Sequence, residues 1–178
     1  MLLSRYYTGR CPIAMRIDEL VNQIAAARLR YYRLVLVVGP PGSGKTRILK
    51  ELSQSQGYPY VNLGLTLSRK LLELPDRTRA LRLSRIADAI MDETGRDTVI
   101  LDNTEILFEP VLQQDPLRLL QQLSRGRTIV AAWNGKYDGK ALVYAEPSHP
   151  EHRRYYEVDA LVYRVGQAQL SGKGGEMP

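Results

Sequence analysis

Apolar residues in this 178-residue chain follow two patterns, steps of three and four and short unbroken runs. Ile17, Leu20, Val21, Ile24 and Ala25 are separated by Asp18, Glu19, Asn22, Gln23 and Arg28, the spacing of an amphipathic helix. Residues 34–38 form a continuous, β-branched run, which predicts a parallel strand covered on both faces. A helix is expected over residues 46–54, a short strand over 60–62, and a second helix over 65–74 that stops at Pro75. Residues 78–93 predict a third helix, with Leu81, Ile86, Ala89 and Ile90 on one side, Arg79, Arg82, Arg85 and Asp88 interleaved, and Gly95 at its end. Strands follow at 98–101 and 128–132, with a helix at 116–124 between them that carries Leu119, Leu120 and Leu123. Residues 134–154 look irregular apart from a short edge strand at 141–144, and 160–165 is the last strand. Strand and helix alternate throughout, so the expectation is an α/β fold with a parallel sheet of about five strands and helices on both faces. It divides into an N-terminal extension (1–15), one domain (16–166) and a polar tail (167–178).

Composition narrows the class. The hydrophobic share of 44% and charged share of 25% are those of a globular protein. A net charge of +6 favours anionic partners, but the basic residues are spread along the chain, so DNA is an expected partner only in a weak sense. One cysteine, Cys11, excludes an intrachain disulfide and fits a reducing compartment. The first fifteen residues contain no continuous apolar stretch, so neither a signal peptide nor a membrane span is read there, and a cytoplasmic location is expected.

The chemistry concentrates in Gly39-Pro40-Pro41-Gly42-Ser43-Gly44-Lys45-Thr46, directly after the first strand and at the start of a helix. Glycines there let backbone N–H groups turn inward around phosphate oxygens, and the helix presents its positive N-terminus to the same anion. This is a phosphate-binding loop, with Lys45 on the β- and γ-phosphates, Thr46 supplying a hydroxyl for Mg²⁺, and Arg47 completing the nucleotide-binding set. A second Mg²⁺-holding carboxylate is expected at the end of a neighbouring apolar strand, and Asp102 after Val99-Ile100-Leu101 has that position. The residue that follows is Asn103 where many ATPases place a glutamate, which leaves Glu105 as the candidate for orienting a water and predicts slow or partner-dependent hydrolysis. Asn134, at the end of the fourth strand, is a candidate γ-phosphate sensor, and Arg153 or Arg154 a candidate arginine finger for a neighbouring subunit.

Two matches fail. Asn134-Gly135-Lys136-Tyr137-Asp138 resembles a guanine reader, but Gly135 shifts Lys136 and Asp138 out of register. His149 and His152 lie among prolines with no third ligand, which suits a surface loop better than a metal site.

The order of phosphate loop, intervening strand, Asp102 with Glu105, and a strand ending in Asn134 resembles the additional-strand ATPases, including the AAA+ group, over residues 17–165. That resemblance implies a three-layer α/β/α P-loop NTPase fold with strand order 5-1-4-3-2, and Walker A, Walker B, sensor and finger roles for Lys45 and Thr46, Asp102, Asn134, and Arg153 or Arg154. The helical lid that follows in that family has no counterpart here, so no lid domain is expected. At closer range, Ile100-Leu101-Asp102-Asn103-Thr104-Glu105-Ile106-Leu107-Phe108 and Glu146-Pro147-Ser148-His149-Pro150-Glu151-His152 look like BrxF, the small P-loop family of type 3 BREX phage-defence systems. This implies ATP and Mg²⁺ as cofactors, a homo-oligomer or other defence proteins as partners, and a setting beside DNA. A small-molecule kinase and a non-hydrolysing nucleotide-binding adaptor are the alternatives. Arg77, Arg79, Arg82 and Arg85 could imitate a kinase lid, but their helical spacing suits an exposed face better.

Overall fold

The computed structural model describes residues 12–165. Five parallel strands form its centre: β1 (Leu34–Gly39), β2 (Tyr60–Asn62), β3 (Thr98–Asp102), β4 (Thr128–Asn134) and, after three shorter strands, β8 (Leu161–Arg164). They lie in the order β2-β3-β4-β1-β8, which is 5-1-4-3-2 when the parallel strands are numbered along the chain and read from the other edge. The order expected from the resemblance is therefore the observed one.

β1 is central and buried along its whole length, and its side chains divide by parity. Leu34, Leu36 and Val38 enter a core with helices α3 (Leu63–Leu72), α4 (Asp76–Glu93) and α5 (Pro116–Leu123). Val35 and Val37 point the other way, into a core with Ile17, Leu20 and Ile24 of helix α1 (Pro12–Ala27) and Ile48, Leu49 and Leu52 of helix α2 (Lys45–Gln56). Alternation across one strand thus creates the two outer layers. Helix ends follow local chemistry. Asn62 caps α3 by accepting from the Leu65 N–H at 3.0 Å, and Asp115 caps α5 in the same way, with Pro116 at the first helical position.

Several expectations are corrected. α1 begins at Pro12, inside the stretch assigned to the N-terminal extension. α3 runs two residues earlier than expected, because Asn62 serves as its cap, and ends at Leu72 before Pro75 is reached. In α4 the buried face is Leu83, Ala87, Ile90 and Met91, while Leu81 is 80% exposed and Ala89 lies outside the core. Residues 134–154 are not irregular. They contain an antiparallel sheet of β5 (Lys136–Tyr137), β6 (Leu142–Tyr144) and β7 (Arg153–Tyr155). The strand expected at 141–144 is β6, which lies in the middle of this sheet and not at an edge, while β5 and β7 are too short for a period-two pattern to register in the sequence. The sheet is anchored by Tyr144, stacked on Phe108 with centroids 3.4 Å apart, and by Trp133, which meets Phe108, Tyr144 and Tyr155 edge-on. Each such pair contributes about 0.5–1.5 kcal/mol beyond burial.

No described helix is long and apolar enough to cross a membrane.

Candidate nucleotide site

The site forms where the parallel strands end. β1 delivers Gly39, and the loop that follows puts Gly42 and Gly44 in left-handed backbone, at φ of 76° and 92°. Consecutive N–H groups in such a turn converge on a small concave space, and α2 opens directly behind it with its positive end toward that space. An anion is the complement of both features. A Cβ placed on Gly42 or Gly44 would meet nothing within 4 Å, so the glycines are needed for their backbone angles and not for want of room.

Lys45 is only 7% exposed, and its Nζ donates to the Gly39 and Pro40 carbonyls at 2.8 Å each. Burial lowers its pKa from the ordinary lysine value, while the charges of Glu105 and Asp102 oppose that shift. The Gly39 carbonyl also accepts from the Gly135 N–H at 3.1 Å, which ties the loop to the turn after β4.

Asp102 closes β3, is 3% exposed, and accepts from the Tyr60 hydroxyl at 2.6 Å and from the Asn103 N–H at 2.9 Å. The chain then reverses through Asn103, which has φ 54°, into a 3₁₀ turn at Thr104–Phe108. Thr104 fixes that turn by donating its buried hydroxyl to the Ala132 carbonyl at 2.6 Å. Gly64 packs behind it, where a Cβ would come within 3.0 Å of the Asn103 carbonyl oxygen. The turn carries Glu105 back to the cleft, where it accepts a short hydrogen bond from the Asn134 amide.

Pro41, Gly42, Gly44, Lys45, Thr46, Arg47, Asp102, Glu105 and Asn134 all border one cleft of about 720 Å³. All of these are expected from the sequence, whereas Lys50, Glu51 and Gln54 of α2, Asn103, and Tyr60 behind Asp102 are not. Helical spacing from Lys45 could have found the α2 residues. Nothing in the sequence links Tyr60 to Asp102.

The donor set suits Mg²⁺. Thr46 is exposed at the cleft and Asp102 offers a carboxylate whose two hydrogen bonds leave lone pairs to spare, both of them hard oxygen ligands. Among the described residues no group of three or more His, Cys, Asp or Glu could hold a metal by itself. His149 instead accepts from the Glu151 N–H at 3.2 Å within its own turn.

Arg153 and Arg154 do not border the cleft. Arg153 donates to the His152 carbonyl at 3.0 Å, and Arg154 lies over the Tyr156 ring at 5.2 Å. A second cavity of about 810 Å³ adjoins the first, sharing Pro41 and Asn134 with it and lined further by Tyr144, Glu146, His149 and Glu151.

No protein-family model matches the chain. A candidate adenylate kinase of Thermococcus onnurineus is 30% identical over 96 residues, 51% of this chain and 53% of that protein. A cytidylate kinase of Caldanaerobacter subterraneus is 26% identical over 120 residues, 61% of this chain and 52% of that protein. The chain therefore spans about half the length of these curated relatives. A solved structure of PCH-2 from C. elegans superposes on 87% of this chain and 43% of its own, with a TM-score of 0.46 and 18% identity. The strand order and the glycine loop between β1 and α2 are those of a P-loop NTPase fold.

Proposed function

We propose that this chain binds Mg-ATP across Gly39 to Thr46 and acts as an ATPase or ATP-dependent switch whose hydrolysis is slow or depends on a partner. The observation that carries this reading is the convergence of Lys45, Asp102, Glu105 and Asn134, from three separate segments, on one cleft. Lys45 would exchange its two carbonyl partners for phosphate oxygens. Thr46 and Asp102 would hold Mg²⁺, which when bound neutralises phosphate charge and orients the terminal group. Glu105 would align a water for attack, and Asn134, already bonded to Glu105, would set its position against the terminal phosphate. The Asn134 amide takes one Glu105 oxygen and leaves the other open toward the cleft, so the bond orients the carboxylate without blocking it.

The resemblance to BrxF supports a setting in a bacterial or archaeal cytoplasm, within a phage-defence complex on DNA, with other defence proteins as partners. A second copy of the chain would supply Arg153 or Arg154 as the finger.

A second reading is a kinase for a small acceptor. It is supported by the partial matches to proteins described as nucleotide kinases and by the adjoining cavity that shares Asn134 with the phosphate cleft.

Phosphate release from ATP by wild type, Lys45→Ala and Glu105→Gln, with and without DNA, separates the readings. The ATPase reading expects release from wild type that both variants lose. Transfer to a nucleoside monophosphate would establish the kinase. ATP binding with no release above Lys45→Ala under any condition would leave an adaptor with a regulatory nucleotide.

A further inference from the structure

The end of the sheet opposite the phosphate loop is built from three loops that enter parallel strands: residues 28–33 before β1, 95–97 before β3 and 124–127 before β4. Hydrogen bonds join them into one surface. The Arg33 N–H donates to the Ser124 carbonyl at 3.1 Å, the Thr128 N–H to the Asp97 carbonyl at 2.6 Å, and Arg28 Nη2 to Thr98 Oγ1 at 3.1 Å. The first loop reads Arg28-Leu29-Arg30-Tyr31-Tyr32-Arg33, and the others add Arg96, Arg125 and Arg127. Arg30 is paired with Asp159, and Arg127 with Asp88 and Asp92. Among the described residues Arg28, Arg33, Arg96 and Arg125 make no ion pair with a carboxylate. Arg28 and Arg96 flank a depression of about 340 Å³.

Aromatic rings interleave with these cations. Tyr31 is 67% exposed and meets Tyr32 edge-on at 4.8 Å, while the Arg125 guanidinium lies 5.5 Å from the Tyr31 centroid and 5.8 Å from that of Tyr32. Tyr31 is thus held in the open beside a guanidinium that no carboxylate neutralises. Rings that stack bases, alternating with guanidinium groups that take phosphates, form the chemistry that tracks an unpaired strand.

We propose that this end of the sheet binds single-stranded DNA, with Tyr31 stacking a base and Arg28, Arg96 and Arg125 contacting successive phosphates. An unpaired strand is favoured over a duplex because only unpaired bases present free faces to Tyr31. The choice of DNA over RNA rests on the proposed function; the surface itself does not. Six residues of β1 separate this surface from the nucleotide cleft, a span of roughly 20 Å at the rise of a parallel strand. The two ligands would not compete.

The test is fluorescence anisotropy of the full chain with labelled oligo(dT), the matching duplex and oligo(U), over a range of salt. Wild type is expected to bind oligo(dT) most tightly, Tyr31→Ala about tenfold more weakly. Arg125→Ala and Arg96→Ala should each flatten the dependence of log affinity on log salt by about 0.7. Binding of oligo(dT) is read without ATP, so a failed ATPase assay leaves this proposal standing and the reverse also holds. All three positions on the surface are exposed, and unchanged melting of the variants confirms their fold. Equal affinity of wild type and Tyr31→Ala, or no binding of oligo(dT) by wild type, overturns the proposal. Tighter binding of the duplex or of oligo(U) overturns the assignment to single-stranded DNA.

Discussion

Replacing Tyr60 by Phe removes one oxygen from the molecule and leaves the ring where it is, with Lys50 still 5.9 Å above its centroid. The lost hydroxyl is the donor to Asp102 Oδ2, at 2.6 Å, in a residue that is 3% exposed. Asp102 then retains one donor, the Asn103 N–H. A hydrogen bond to a buried charged group contributes about 1.5–3 kcal/mol, and no cavity term adds to it because the ring still fills its space. A loss of about 2 kcal/mol in a domain of this size lowers Tm by about 4–8 °C. Circular dichroism melting of wild type and Tyr60→Phe measures this directly. The same substitution should weaken Mg²⁺ binding to the nucleotide complex about tenfold to a hundredfold, since the partner that orients a metal-binding carboxylate is gone. A Mg²⁺ titration of a bound fluorescent ATP analogue reads that effect without any turnover. Melting within about 1 °C of wild type would refute the reasoning, because the buried carboxylate would then have needed no tyrosine.

Three further outcomes are expected. Asn134→Ala frees Glu105 from its amide but removes the sensor, so ATP hydrolysis should fall about a hundredfold while affinity for a non-hydrolysable analogue changes little; equal loss in both would place Asn134 in ground-state binding. Gly135→Ala should cost more than about 3 kcal/mol in urea unfolding, because Gly135 has φ 150° and a Cβ there would lie 1.8 Å from the Val143 carbonyl oxygen. Stability should also fall above pH 10. Burial raises the pKa of Tyr144 to about 12 and raises those of Tyr60, Tyr155 and Tyr163, so these groups stay neutral in the fold while their unfolded counterparts ionise. Their contribution is complete below the unfolded value and is lost as pH climbs toward the folded ones. Unfolding midpoints against pH, with tyrosinate absorbance as a second readout, check the sign.

What the sequence disclosed follows from the range of the interactions involved. The glycine loop is local, since eight consecutive residues specify it, and the apolar runs of β1, β3 and β4 announce their burial because both faces are covered. Asp102 and Asn134 were legible from their places at strand ends. The Tyr60–Asp102 contact joins residues 42 positions apart, and no local pattern encodes it. The reversal at Asn103 that brings Glu105 to the cleft depends on a left-handed residue that is not glycine. Leu81 was misplaced on α4 because a face judged by spacing alone does not say which neighbour will cover it, and Leu83 is the one that meets the core.

Lys45, resting on the carbonyls of Gly39 and Pro40, has a further consequence. The ammonium ties down the carbonyl side of the loop from within, using the same charge that a bound phosphate would claim. On the proposed function, entry of a phosphate would be an exchange of partners for one cation. Nucleotide affinity would then be the difference between two satisfied arrangements. Cutting the side chain back to alanine therefore alters the empty protein as well as the loaded one, so a lysine variant should be compared with wild type in both states before its loss is assigned to the nucleotide.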